Sequence, residues 1–153
     1  MINTVKGDYF TVLEEKGFLT FVPNGNSMWP FIKNRSQTVI IKKVEKPLKK
    51  FDVVLYKRAD GAYVLHRIVD IDGDEIITQG DSQFYTEKVA TCDVVGVMTD
   101  FYKGKKLVDA NDKKYLSKVE KWYKNGLFTR LRKKAFALRL RVKSKFKRIF
   151  KGA

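Results

Sequence analysis

A chain of 153 residues has room for one domain with a real core and an appendage, and its 32 basic residues against 17 acidic ones give a formal charge of +15. One cysteine, Cys92, excludes an internal disulfide and agrees with a reducing compartment, and a single histidine, His66, leaves no Cys/His cluster for zinc. No run of about 18 apolar residues occurs and Met1–Asp8 lacks the apolar core of a signal peptide, so the sequence predicts a cytoplasmic protein with no spanning helix.

The elements follow in chain order. Residues 9–16 read as a short helix capped by Asp8 and stopped by Gly17. Residues 18–22 read as a strand leading to a turn, and 37–44 as a second strand that ends before Pro47. Residues 52–57 give a third. Asp60-Gly61 then signals a hairpin into a strand around Tyr63–Val69, and Asp72-Gly73 another into Glu75–Thr78. On the His66 strand, Val64, His66 and Ile68 alternate with Leu65, Arg67 and Val69, the pattern of a half-buried strand. Val94–Met98 closes the sheet, and residues 101–108 add a hairpin through Lys103-Gly104. Cys92 is expected to be a small buried hydrophobe in or near a strand rather than a reactive thiol. Short strands at regular spacing with turn signals predict a mainly β, α+β domain of barrel or sandwich type.

The composition then changes. Residues 1–112 balance 16 basic against 16 acidic residues, and residues 113–153 hold the other 16 basic residues with Glu120 as the single acid. Asn125-Gly126 divides this tail into two helices. In the second, Phe128, Leu131, Ala135, Leu138, Val142 and Ile149 recur at helical spacing, with Phe146 near the stripe and Lys or Arg over the rest. Such a helix over residues 127–151 suits an anionic membrane surface, to which each nearby basic residue contributes about 1 kcal/mol. The blander alternative is that the stripe packs on the β domain and the basic face is solvated. Nucleic acid attracts the same charges, but no helix-turn-helix or aromatic platform supports it.

Three stretches carry possible chemistry. Gly25-Asn26-Ser27-Met28-Trp29-Pro30-Phe31-Ile32 delivers one serine on a stiff turn beside large apolar residues, a setting that fits a nucleophile. His66-Arg67 stands in a strand, and Thr78-Gln79-Gly80-Asp81 ends one in a tight turn. Separately, each has an ordinary explanation: a turn serine, a satisfied strand histidine and an Asx-type turn.

Together and in this order, Ser27-Met28-x-Pro30, His66-Arg67 and Gly80-Asp81 resemble the serine peptidases of the signal-peptidase and SOS-repressor type. The likeness is to the archaeal and endoplasmic-reticulum signal-peptidase branch, which uses serine and histidine where bacterial signal peptidases use serine and lysine. It covers about residues 10–108. The sequence departs from the pattern at Asn34-Arg35-Ser36-Gln37, where the family usually has Gly-Asp, and at Phe51, where it usually has Gly before Asp52. It also lacks the N-terminal span of signal peptidases proper.

The resemblance implies a β-ribbon pseudo-barrel with a short N-terminal helix over residues 1–110, and a basic amphipathic helical tail over 111–153. It implies a serine endopeptidase with Ser27 as nucleophile, His66 as general base and Asp81 orienting the imidazole, with Asp70, Asp72 and Asp93 as alternative acids. Gly25, Met28 and Pro30 fall to substrate and oxyanion contacts. No metal or cofactor is expected. The substrate would be a peptide, leader or protein bound extended along a strand edge, with small side chains near the cut, at the inner face of the cytoplasmic membrane. Two other functions fit the same residues. One is a self-cleaving repressor-like domain, disfavoured because those use lysine where His66 stands and only 26 residues precede Ser27. The other is an inactive peptide-binding module anchored by the basic tail.

Overall fold

The computed structural model describes residues 8–150, without the side chains of 127, 128 and 145–150. The first element, α1 (Tyr9–Lys16), ends as expected at Gly17, whose left-handed φ of 74° lets its N–H reach the Leu13 carbonyl. Its start differs. Asp8 occupies the capping position but makes no side-chain cap bond. Its carboxylate instead accepts the Tyr63 hydroxyl and lies 3.7 Å from Lys57 Nζ.

Eight antiparallel strands form one sheet: β1 (Phe18–Phe21), β2 (Val39–Lys42), β3 (Val53–Lys57), β4 (Tyr63–Asp72), β5 (Glu75–Gln79), β6 (Glu87–Ala90), β7 (Val94–Lys103) and β8 (Lys106–Asp109). The order is β1-β2-β7-β3-β4-β5-β6, with β8 paired to the far end of β7. The path is open, and β1 and β6 are its ends. With helices α2 (Lys113–Lys124) and α3 (Gly126–Phe150), the class is α+β.

Pairing, more than propensity, decides two differences from the sequence reading. Residues Glu87–Ala90 carry little strand signal, yet they pair with β5 from Glu75↔Ala90 to Thr78↔Glu87. A 3-10 turn at Thr91–Asp93 follows, and it leaves Cys92 exposed rather than buried. The β4 strand, expected to be half-buried, has Leu65, His66, Arg67 and Ile68 all buried, because it lies inside the sheet and is covered on both sides. Its neighbour β3 is buried from Val53 to Tyr56. Leu13, Ile32, Val39, Ile41, Ile76 and Met98 are also buried, each worth about 1.5–3 kcal/mol when fully buried. Gly96 in β7 permits the close passage of β2, since a Cβ there would lie 2.6 Å from the Lys42 carbonyl.

The chain divides into two compact units between Leu116 and Ser117, within α2. In the second unit the Thr129 hydroxyl donates to the Trp122 carbonyl, and Arg132 lies 5.7 Å from the Trp122 ring centre. Of the apolar stripe expected on α3, Leu131, Ala135, Leu138 and Val142 are exposed. The side chains of Phe128, Phe146 and Ile149 lie outside the described residues. No described helix is long and apolar enough to cross a membrane.

Candidate active site

Ser27 sits in a turn that its neighbours hold from three directions. Met28 and Ile32 are buried beneath it, and the Trp29, Phe31 and Ile32 N–H groups close it onto the Asn26 and Met28 carbonyls at 2.9–3.1 Å. The Trp29-Pro30 peptide bond is cis. From the side, Gly25 N–H donates to Asn34 Oδ1 at 3.1 Å and Arg35 Nε to Asn24 Oδ1 at 3.0 Å. Arg35 adopts φ 51° and its N–H reaches the Pro23 carbonyl. The Asn34-Arg35 pair therefore braces the serine turn. It also commits the Gly25 N–H to Asn34 rather than leaving it for an oxyanion.

The third support comes from the turn after β5. Ser82 N–H donates to the Ser27 carbonyl at 2.8 Å, and its hydroxyl reaches the Asn26 and Ser27 carbonyls at 2.8 and 3.1 Å. Gly80 packs so close that a Cβ there would lie 3.0 Å from Ser27 Cβ and 2.5 Å from Gln83 Oε1. Asp81, between them, is fully buried. Arg67 Nε and Nη2 donate to its two oxygens at 2.8 and 2.9 Å. The same guanidinium donates to the Phe51 carbonyl and the Tyr115 hydroxyl, and faces the Phe31 ring at 5.3 Å. Phe51, at the position where the sequence resemblance leads one to expect glycine, adopts a left-handed φ of 76°. That conformation is costly for a non-glycine residue, and its N–H bond to Ile68 and carbonyl bond from Arg67 hold it there.

His66 belongs to a different cluster. It lines a cavity of about 600 Å³ together with Ser27, Gly25 and Met28, among apolar groups that include Leu19, Phe21, Leu55 and Tyr85. Pro30 and Asp81 are not among the described residues lining it. The imidazole is 3% exposed. Its Nδ1 lies 3.3 Å from the Tyr56 hydroxyl and 3.8 Å from Glu87 Oε1. Tyr56 donates to Glu87 Oε2 at 3.1 Å, and Arg58 holds the same carboxylate through Nε at 2.8 Å and through Nη2. Among the described residues the Ser27 hydroxyl forms no hydrogen bond.

Electrostatics keep this cluster in one protonation state at neutral pH. Burial pushes the His66 pKa below its ordinary 6.5; the Glu87 charge opposes this, Arg58 adds to it, and Asp81 opposes it weakly. Burial raises the Tyr56 phenol above 10.0. Burial alone would also raise Glu87, but hydrogen bonds from Arg58 and Tyr56, with the nearby positive charge, bring it below 4.5. A neutral imidazole beside an ionised carboxylate results.

The structure thus brings Ser27, His66, Gly25 and Met28 together. The imidazole contacts at Nδ1 come from Tyr56 and Glu87, whereas Asp81 binds Arg67 with both oxygens. The alternative acids Asp70, Asp72 and Asp93 are exposed. Sequence reasoning missed Tyr56, Arg58 and Glu87. The available signal was a tyrosine inside the apolar Val53–Tyr56 run, since a buried phenol needs a partner. Compared with models of known protein families and with curated proteins, the chain matches none.

Proposed function

We propose that the chain is a serine endopeptidase of signal-peptidase-like type, with Ser27 as nucleophile and His66 as general base. The observation that carries this reading is that Ser27 and a buried, neutral His66, distant in sequence, line one cavity. A serine hydroxyl is a weak nucleophile and needs an adjacent base. Neutral His66 takes the Ser27 proton as Oγ bonds to the scissile carbonyl carbon. It returns that proton to the leaving amine when the C–N bond breaks, and water repeats the cycle to release the acyl group. The Met28 N–H, next to the nucleophile, is the donor we assign to the oxyanion. An extended peptide would pair with β1, an end strand whose Leu19–Phe21 segment lines the cavity. In this reading the open sheet corresponds to the family's β-ribbon pseudo-barrel. The tail attaches the enzyme to an anionic membrane on its cytoplasmic side, a reading supported by Leu131, Leu138 and Val142 lying exposed on a strongly basic helix.

The test is digestion of a library of unstructured peptides, read by mass spectrometry. The wild-type chain should generate new termini and Ser27→Ala none. Cleavage that persists undiminished in Ser27→Ala would reject the assignment.

A further inference from the structure

We infer that Tyr56 and Glu87 are the positioning residues of His66, and that they fix its Nδ1–H tautomer. The inference deepens the peptidase reading and rests on it for its catalytic consequence. Three distances and one charge argument carry it. A phenol has one proton to give. Tyr56 can give it to Glu87 Oε2, at 3.1 Å, or to His66 Nδ1, at 3.3 Å. The carboxylate, held by Arg58 and ionised at neutral pH, is the stronger acceptor because the bond to it is charge-assisted. The Tyr56 oxygen then presents lone pairs to its remaining neighbours. One takes the Thr78 hydroxyl, at 3.4 Å, and the other takes the proton on His66 Nδ1. Nε2 is left with the free lone pair that a base needs toward Ser27.

The chain Glu87–Tyr56–His66 does for the imidazole what an aspartate does in a serine protease triad, through one intervening hydroxyl. When His66 accepts the Ser27 proton, the imidazolium lies 3.8 Å from Glu87 Oε1, which stabilises it. Charged groups acting on His66 are Glu87 from β6, Arg58 just past β3 and Asp81 from the turn after β5. Tyr56, from β3, is the titratable group in contact.

The single histidine makes the test unambiguous. In ¹⁵N NMR of the full-length protein near pH 7.5, His66 should appear as the Nδ1–H tautomer. In Glu87→Gln, the Tyr56 proton is no longer drawn to a carboxylate, so the Nε2–H form should gain population. The His66 titration midpoint should also move to lower pH, because the Glu87 charge that raises it is gone. Labelling of Ser27 by a fluorophosphonate should slow by at least about tenfold, toward the roughly 10⁴-fold cost of a wrong tautomer in a triad. Glu87→Asp, which keeps the charge, should recover part of that rate and hold the midpoint. An Nε2–H tautomer in the wild-type protein overturns the inference. So does a folded Glu87→Gln protein with tautomer, midpoint and labelling rate unchanged. An Nδ1–H tautomer that shifts in Glu87→Gln, in a protein that never labels at Ser27, supports the positioning role and rejects the peptidase reading instead.

Discussion

His66 and Arg67 are consecutive residues of one buried strand, and alternation along a strand turns them to opposite faces. On one face Arg67 is tightly held: two bonds to Asp81, one to the Phe51 carbonyl, one to Tyr115, and aromatic rings over its plane. Its partners fix loops, and through the Gly80–Ser82 turn they fix the backbone of Ser27. On the other face His66 is held, among the described residues, at Nδ1 alone, and it borders a cavity. The contrast separates scaffold from proposed chemistry within a dipeptide. A group so tightly held can position others, and a group with an unengaged basic nitrogen can exchange a proton.

Substitutions on the two faces should differ in kind. The largest effect belongs to the His66 face. Ser27→Ala and His66→Ala should each lower peptidase activity by up to about 10⁶-fold, with the double variant little worse, as expected of residues that act as a unit. Steady-state kinetics on a cleaved peptide would measure this, and near-additive losses would argue against a shared step.

On the Arg67 face the loss should appear in stability. Asp81→Ala leaves a buried guanidinium without its carboxylate and should cost about 3–5 kcal/mol, read as a lowered denaturation midpoint. An Asp81→Ala protein as stable as wild type would mean that the ion pair is not the anchor described here.

The pH dependence should follow the His66 face. Because the His66 pKa lies below 6.5, kcat/KM should rise with pH through a midpoint under that value and level off above it. The effect on stability has the same direction. The unfolded chain protonates at about 6.5 while the folded imidazole resists, so the contribution is complete above that pH. It is lost as pH falls toward the folded value. Glu87, also lowered, adds a loss of the same sign at more acid pH. Chemical denaturation from pH 8 to 5 would show it, and a gain in stability over that range would contradict the buried neutral imidazole.

The smallest effect concerns the tail. Full-length protein should sediment with vesicles containing anionic lipid, less strongly as salt rises, since screening limits the field to about 8 Å at physiological ionic strength. Replacing Leu131, Leu138 and Val142 by Ser should remove the salt-resistant part of the binding while leaving the charge attraction. Equal binding by the two proteins at high salt would show that the stripe does not insert.

Much of the fold was legible because local rules set it. Gly17 ended α1, and the Gly61 and Gly73 turns sat between strands as their signals implied. The Ser27 turn was legible from Gly25 and Pro30, but its convergence with His66 was legible only through the resemblance, since 39 positions separate the two residues. What remained hidden depends on partners distant in sequence. Glu87 reaches His66 only because β6 pairs with β5, and no periodicity announces that pairing. The full burial of Arg67 was likewise invisible, because a charged residue in an alternating strand reads as solvent-facing until Asp81 and Tyr115 are brought to it. Asp8 as a helix cap failed for the same reason: Tyr63 and Lys57, far along the chain, take its carboxylate.

The central claim is that His66 activates Ser27, and covalent labelling tests it most directly. Purified protein treated with a fluorophosphonate at pH 7.5 should carry one adduct, localised to Ser27 by peptide mass spectrometry. The adduct should be absent in Ser27→Ala and formed far more slowly in His66→Ala. A folded wild-type protein with no adduct at Ser27, or a His66→Ala protein labelled as fast as wild type, would contradict the account.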